Sequence, residues 1–78
     1  MAERVNVSLA KIVLSELLKE PLRYTQLCKR TLQQYGTPAS FESVFGYLKQ
    51  QGYVEKSADS YTAPYRITLR GRQFLEVI

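Results

Sequence analysis

Apolar positions recur along this chain with a helical period first and a strand period later. Between residues 38 and 51, Phe41, Val44, Phe45 and Leu48 fall at i, i+3, i+4 and i+7, which lines them up on one side of a helix. Thr37 is placed to cap that helix, and Pro38 suits its first turn, where a missing N–H costs nothing. Gly52 stands where a helix closes on a left-handed residue. Upstream, Leu9, Ile12, Val13, Leu14, Leu17 and Leu18 cover a wide arc of a helix over 8–19, with Ser8 as its expected N-cap. The polar strip left over is narrow, at Ser8, Lys11, Ser15 and Lys19, so this helix is predicted to be the buried floor of the fold. Pro21 ends it, Arg23-Tyr24 forms a short extended link, and Thr25 caps a second helix over 26–35. Leu27, Leu32 and Tyr35 form that helix's inner face, Cys28 and Thr31 its edge, and Lys29, Arg30, Gln33 and Gln34 its outer side. Gly36 breaks it, leaving Gly36-Thr37 as a short turn into the third helix.

After Gly52 the pattern changes. Residues 53–57 and 65–69 read as strands, with Val54 and Ile67 inward. The polar stretch 58–64 between them reads as a hairpin loop longer than a tight turn. Residues 70–77 form a last short helix, with Phe74, Leu75 and Ile78 inward, and residues 1–7 form a lead-in in which Val5 and Val7 alternate with polar neighbours. The order predicts an α+β fold in one domain: a three-helix core, a two-stranded β-wing over 53–69 and a short C-terminal helix, the arrangement of a winged helix-turn-helix.

Charge and composition narrow the function. A hydrophobic content of 45% with 12% aromatics belongs to a folded chain. The net charge is +4, and it is not spread evenly. Residues 21–73 hold eight basic and three acidic side chains, whereas basic and acidic groups cancel over 1–20. The excess therefore lies in the part that would face DNA in a winged helix. The sequence contains no histidine, so Ser–His and Cys–His pairs and His-bearing metal sites cannot be built. The single cysteine, Cys28, gives neither an intrachain disulfide nor a multi-cysteine zinc site, and it is read as a packing residue. The four glycines have no phosphate-cradling spacing. The reading is of a cytoplasmic, non-enzymatic protein without metal or cofactor, and no run approaches a membrane span.

Three motifs resemble a known group of regulators. Leu22-Arg23-Tyr24-Thr25-Gln26-Leu27 is similar to the step into helix 2 of HxlR-type winged-helix proteins. Leu48-Lys49-Gln50-Gln51-Gly52-Tyr53-Val54 resembles the end of the recognition helix in the MarR, ArsR, PadR and HxlR groups. Tyr65-Arg66-Ile67-Thr68-Leu69-Arg70-Gly71-Arg72-Gln73-Phe74-Leu75 is similar to their strand-to-helix signature. The resemblance implies a transcriptional regulator that binds double-stranded DNA, commonly as a dimer, with helix 3 in the major groove and the wing on phosphates or the adjacent groove.

With that docking, Ser40, Ser43, Tyr47 and Gln50 are the base-reading candidates on helix 3. A glutamine can pair bidentately with adenine, a serine can donate or accept, and Glu42 can accept from a cytosine amino group. Arg23, Arg30 and Lys49 around the helix-turn-helix, and Lys56 and Arg66 on the wing, are the phosphate candidates, with Tyr61 at the wing tip aimed at a groove. Arg72 either anchors the backbone or packs by its stem. Gly46 points away from the predicted core, which fits either close approach of another surface or a plain solvated face. A homodimer is expected from the surplus of apolar residues at Val5, Val7, Leu14, Val77 and Ile78. The competing reading is a winged-helix protein–protein interaction module, since the outer face of helix 3 carries Glu42 and a single lysine.

Overall fold

The structure is a computed structural model and describes residues 6–78. Its elements run α1 (Val7–Lys19), α2 (Tyr24–Leu32), α3 (Pro38–Gln50), β1 (Val54–Lys56), β2 (Tyr65–Ile67) and α4 (Leu69–Val77). The three N-terminal helices pack on one another, and the antiparallel hairpin β1–β2 follows α3 directly, with Val54 opposite Ile67 and Lys56 opposite Tyr65. This is an α+β, winged-helix arrangement.

The apolar stripe of α3 supplies the middle of the core. Phe41 and Leu48 are fully buried, and Val44 and Phe45 nearly so. Burying each such side chain is worth about 1.5–3 kcal/mol. They meet Leu9, Ala10, Val13, Leu14 and Leu17 of α1 and Leu27 of α2. Leu14 is a core residue with no exposure, so it does not belong to the apolar surplus read as a dimer surface. Val7 and Val77 are exposed, Ile78 is half-buried, and Val5 lies outside the described residues.

Helix ends are set by specific hydrogen bonds. The cap of α1 is Asn6 and not Ser8: the Asn6 side chain accepts from the Leu9 N–H at 3.1 Å, which draws Val7 and Ser8 into the first turn. α2 starts two residues before the predicted 26, because the Gln26 side chain accepts from the Arg23 N–H and makes Arg23 the capping position in place of Thr25. It also ends three residues earlier than predicted. The N–H groups of Gln34 and Tyr35 both return to the Thr31 carbonyl, which tightens the last turn and leaves 33–37 as the connection. Tyr35 is consequently exposed, and Thr31, expected at an edge, is fully buried, its hydroxyl without a partner among the described residues. α3 is capped as its sequence predicts, by Thr37, and the chain leaves it through Gly52 at φ +77°.

The wing is anchored at two points that the hydrophobic pattern does not reveal. Leu22 and Tyr65 exchange backbone hydrogen bonds at 3.1 and 2.7 Å, which ties the α1–α2 link to β2. Thr68 donates its N–H to the Tyr53 carbonyl and its hydroxyl to the Gly52 carbonyl, and the same hydroxyl accepts from the Gly71 N–H to cap α4. β2 therefore ends at Ile67, two residues before the predicted end. The inward residue of β2 is Tyr65, whose ring meets Phe45 edge-on at 4.8 Å, while Ile67 is only half-buried.

α1 and α2 are further joined by an ionic cluster around Glu16, which is 7% exposed. Its carboxylate accepts from Lys19 at 3.1 Å and from Gln34 at 3.2 Å, with Arg30 3.7 Å away. Burial pushes the Glu16 carboxyl up, but the hydrogen bonds from Lys19 and Gln34 and the charges of Lys19 and Arg30 outweigh it and hold it below the usual glutamate value. A carboxyl lowered in the folded state contributes stability in full above its unfolded pKa and loses it as pH falls through the folded value. Glu16→Gln should therefore lower the melting temperature at pH 7, and the gap to the unaltered chain should close as pH drops below about 4. Thermal melts of both chains between pH 3 and 7 check this, and a gap that stays constant through pH 3 would refute the ionic account.

Candidate nucleic-acid interface

α3 presents its polar side to solvent. Ala39, Ser43, Gly46 and Gln50, spaced by four, three and four residues, follow one line opposite the buried stripe, and all are exposed. The line is low-relief. A Cβ added at Gly46 would meet nothing within 4 Å, so the glycine leaves open space and is not demanded by packing within the chain.

The four base-reading candidates are not equivalent in this geometry. Ser43 and Gln50 are exposed on the outer line, with no intramolecular hydrogen bond from either side chain among the described residues. Ser40 is committed to the start of its own helix: its hydroxyl accepts from the Thr37 N–H at 2.8 Å and donates to the Thr37 carbonyl at 2.9 Å. Tyr47 turns toward the α4 side, half-buried, with its ring edge-on to Tyr53 at 6.3 Å. Tyr53 in turn stacks on Phe74 at 4.3 Å. Both placements have one cause. Ser40 and Tyr47 lie on a flank of α3 and not on its outermost line, and a flank is within reach of neighbouring elements.

The phosphate candidates also divide into two sets. Arg30 is 3.1 Å from Glu20 and 3.7 Å from Glu16, and Arg66 is 2.7 Å from Glu55, its partner across the β1–β2 pair. Each of these cations already faces a carboxylate, which cancels most of the field it would offer a phosphate. Arg23, Lys49 and Lys56 have no carboxylate partner among the described residues.

These three free cations gather around one aromatic patch. The Lys49 ammonium lies over the Phe45 and Tyr65 rings, 5.8 Å from each centroid. Lys56 lies 5.7 Å from the centroids of Tyr65 and Tyr61, and it donates to the backbone carbonyls of Ser60 and Tyr61 at 3.4 Å. Tyr24 sits edge-on against Phe41 and Phe45 at 5.4 and 5.3 Å, still partly exposed. Burial first, then the neighbouring Cys28, Glu42 and Tyr65, pushes the Tyr24 phenol above its usual value. Between the first turn of α2 and the wing these groups enclose an open pocket of about 360 Å³, lined by Arg23, Tyr24, Lys56, Tyr61 and Tyr65 together with small and hydroxyl side chains.

Neither Tyr24 nor Tyr65 was singled out as a site residue by the sequence. Tyr24, Tyr61 and Tyr65 are brought together by the Leu22–Tyr65 bridge and the wing, and nothing in their spacing along the chain signals it. Among the described residues there is no group of three potential metal ligands, and no helix is long and apolar enough to cross a membrane.

No family model matches the chain, and no curated protein does. Solved structures do. A transcriptional regulator from Clostridium thermocellum aligns over 97% of this chain and 84% of its own, with a TM-score of 0.71 and 22% identity. A protein from Thermoplasma acidophilum, described as a candidate transcriptional regulator, aligns over 99% of this chain and 81% of its own, with a TM-score of 0.64 and 28% identity. The chain is thus similar, over nearly its whole length, to folds carried by transcriptional regulators.

Proposed function

We propose that this chain is a DNA-binding transcriptional regulator that lays the outer line of α3 in the major groove of duplex DNA. In this reading Ser43 and Gln50 meet base edges, and Arg23, Lys49 and Lys56 neutralise phosphates beside them. Arg30 and Arg66 stay paired with Glu20 and Glu55 on the surface, and Tyr61 reaches the neighbouring groove from the wing. The observation that carries the reading is the grouping of three cations, Arg23, Lys49 and Lys56, that have no carboxylate partner among the described residues, on the flank of an exposed, low-relief helix face. The likeness to transcriptional regulators supports the same conclusion. Two copies on a two-fold operator would double the set of contacts.

Binding to duplexes selected from genomic fragments tests this. Affinity should fall linearly with log salt, with a slope of roughly −3 for one copy making three phosphate contacts and about twice that for two. In the same assay Gly46→Leu should leave the melting temperature unchanged or raised, because leucine favours helix by about 0.5–1 kcal/mol over glycine and has open space around it. It should also weaken duplex binding by about tenfold or more, because the added side chain stands on the approaching face. A protein-docking use of α3 is favoured by one feature, the presence of Glu42 on the flank shared with Lys49. Absence of any salt-dependent duplex binding by the unaltered chain would overturn the DNA reading and leave the protein-docking one.

A further inference from the structure

The pocket between α2 and the wing has two unlike halves. One is cationic, with Arg23 and Lys56, and among the described residues no carboxylate lines the pocket. The other is aromatic: Tyr65 forms a nearly buried floor, Tyr24 a partly exposed wall, and Tyr61 a rim that is 93% exposed. An anion alone would use the first half and leave the rings without a role. An apolar ligand would use the rings and bury two charges. A ligand that joins a planar ring to a phosphate satisfies both, and the volume of about 360 Å³ falls at the lower end of small-molecule sites.

Tyr61 is held ready for such a ring. The ammonium of Lys56 covers part of one face and ties the loop through the Ser60 and Tyr61 carbonyls. The loop is closed further by the bonds from Ala63 N–H to Ser60 and from Ser57 N–H to Pro64. A phenol ring so exposed contributes little to the hydrophobic core, yet the backbone beneath it is pinned by four hydrogen bonds. Stacking of a base on such a ring, with a cation beside the phosphate, is the general physics of binding to unpaired nucleotides.

We infer that the α2–wing pocket takes one unpaired nucleotide unit, its base stacked on Tyr61 against Tyr24 and its phosphate between Arg23 and Lys56. This deepens the proposed DNA-binding function and rests on it where the nucleotide belongs to a strand; a free mononucleotide offers the same chemistry from a second source. The pocket then distinguishes DNA with a displaced base from fully paired DNA, or couples DNA binding to a nucleotide signal.

Two measurements on the full chain test this. In the first, labelled hairpins that are fully paired, or that carry one unpaired nucleotide in the stem, are titrated by fluorescence anisotropy. The bulged hairpin should bind about tenfold tighter than the paired one. Tyr61→Phe should keep that ratio and Tyr61→Ser should bring it to one, whatever either does to the affinity for paired DNA. In the second, dAMP is titrated against the protein by NMR, following the Tyr61 ring and the Lys56 side chain; saturable shifts in the unaltered chain and in Tyr61→Phe, but not in Tyr61→Ser, identify a free nucleotide as an occupant. A ratio near ten with no dAMP shifts assigns the pocket to nucleic acid, and dAMP saturation with a ratio of one assigns it to the free nucleotide. A ratio of one together with no saturable dAMP shift overturns the inference. In that case salt-dependent binding to the paired hairpin would leave the DNA-binding function standing, and its absence would remove that as well. Because Tyr61 is almost wholly exposed, its replacement does not threaten the fold.

Discussion

Gly71→Ala should destabilise this protein by about 3 kcal/mol or more, the largest effect expected from any single glycine replacement here. A Cβ at this position would lie 2.1 Å from the Tyr53 carbonyl oxygen and 2.8 Å from Ile67 Cγ1. The first of these is backbone, and it cannot easily yield. The Tyr53 carbonyl accepts from the Thr68 N–H, and the Tyr53 N–H is bonded to the Leu48 carbonyl at the end of α3. Moving that peptide would strain the exit of α3, the end of β2 and the cap of α4 together. Overpacking a rigid site commonly costs about 1–3 kcal/mol, and a backbone obstacle places this case at or beyond the upper end. Total stability for a chain of this size is about 4–12 kcal/mol. The melting temperature should fall by roughly 10–25 °C. Circular dichroism melts of the two chains measure it directly, and a fall of less than about 3 °C would mean that the α3 exit moves aside at little cost. The contrast with Gly46 is instructive, because there the added side chain meets open space and the same chemical change acts through helix propensity alone.

Neutralising Arg23, Lys49 and Lys56 together should weaken duplex binding by about 100- to 500-fold at 0.1 M salt. The estimate follows from releasing roughly 0.9 counterion for each of three lost phosphate contacts. The triple replacement by glutamine lowers the net charge from +4 to +1, so a control is needed for bulk charge and for position. Glu55→Gln combined with Arg66→Gln removes an ion pair from the wing without changing net charge, and it should leave affinity within about threefold. The triple variant should also flatten the dependence of log affinity on log salt by close to three units. An equal loss from the Glu55/Arg66 double variant would mean that the wing surface as a whole, and not the three free cations, carries the interaction. None of the three cations sits in a salt bridge among the described residues; the replacements remove only cation–π contacts, each worth about 0.5–1 kcal/mol at exposed sites, and the Lys56 bonds to the wing loop, a loss that thermal melts measure.

Much of the architecture was legible because it rests on short-range rules. The spacing of Phe41, Val44, Phe45 and Leu48 fixes which side of α3 faces inward, whatever packs against it, and Thr37 and Gly52 mark its ends through bonds and dihedral angles reached within a few residues. The same locality made the hairpin readable from its two β-prone runs and the polar stretch between them. Boundaries went astray where a competitor for the local bond existed. Asn6 took the cap assigned to Ser8, and Gln26 made Arg23 the start of α2.

The amino-acid sequence by itself determined the order of elements, the inward face of α3 and the excess of positive charge after residue 20, since each depends on neighbours close along the chain or on simple counts. Only the tertiary structure decided which of the candidate cations face a carboxylate among the described residues. Arg30 and Arg66 lie ten or eleven residues from the carboxylates that hold them, Glu20 and Glu55, and no pattern of spacing distinguishes them from Arg23 or Lys56. It likewise decided that Ser43 and Gln50 stand clear while Ser40 and Tyr47 do not, that Gly71 is obligatory while Gly46 is open, and that Tyr24, Tyr61 and Tyr65 share a pocket. Helix faces follow from a period within one segment, whereas charge compensation, close approach and pocket walls require two segments to meet, and that meeting is set by the Leu22–Tyr65 bridge and the Thr68 junction.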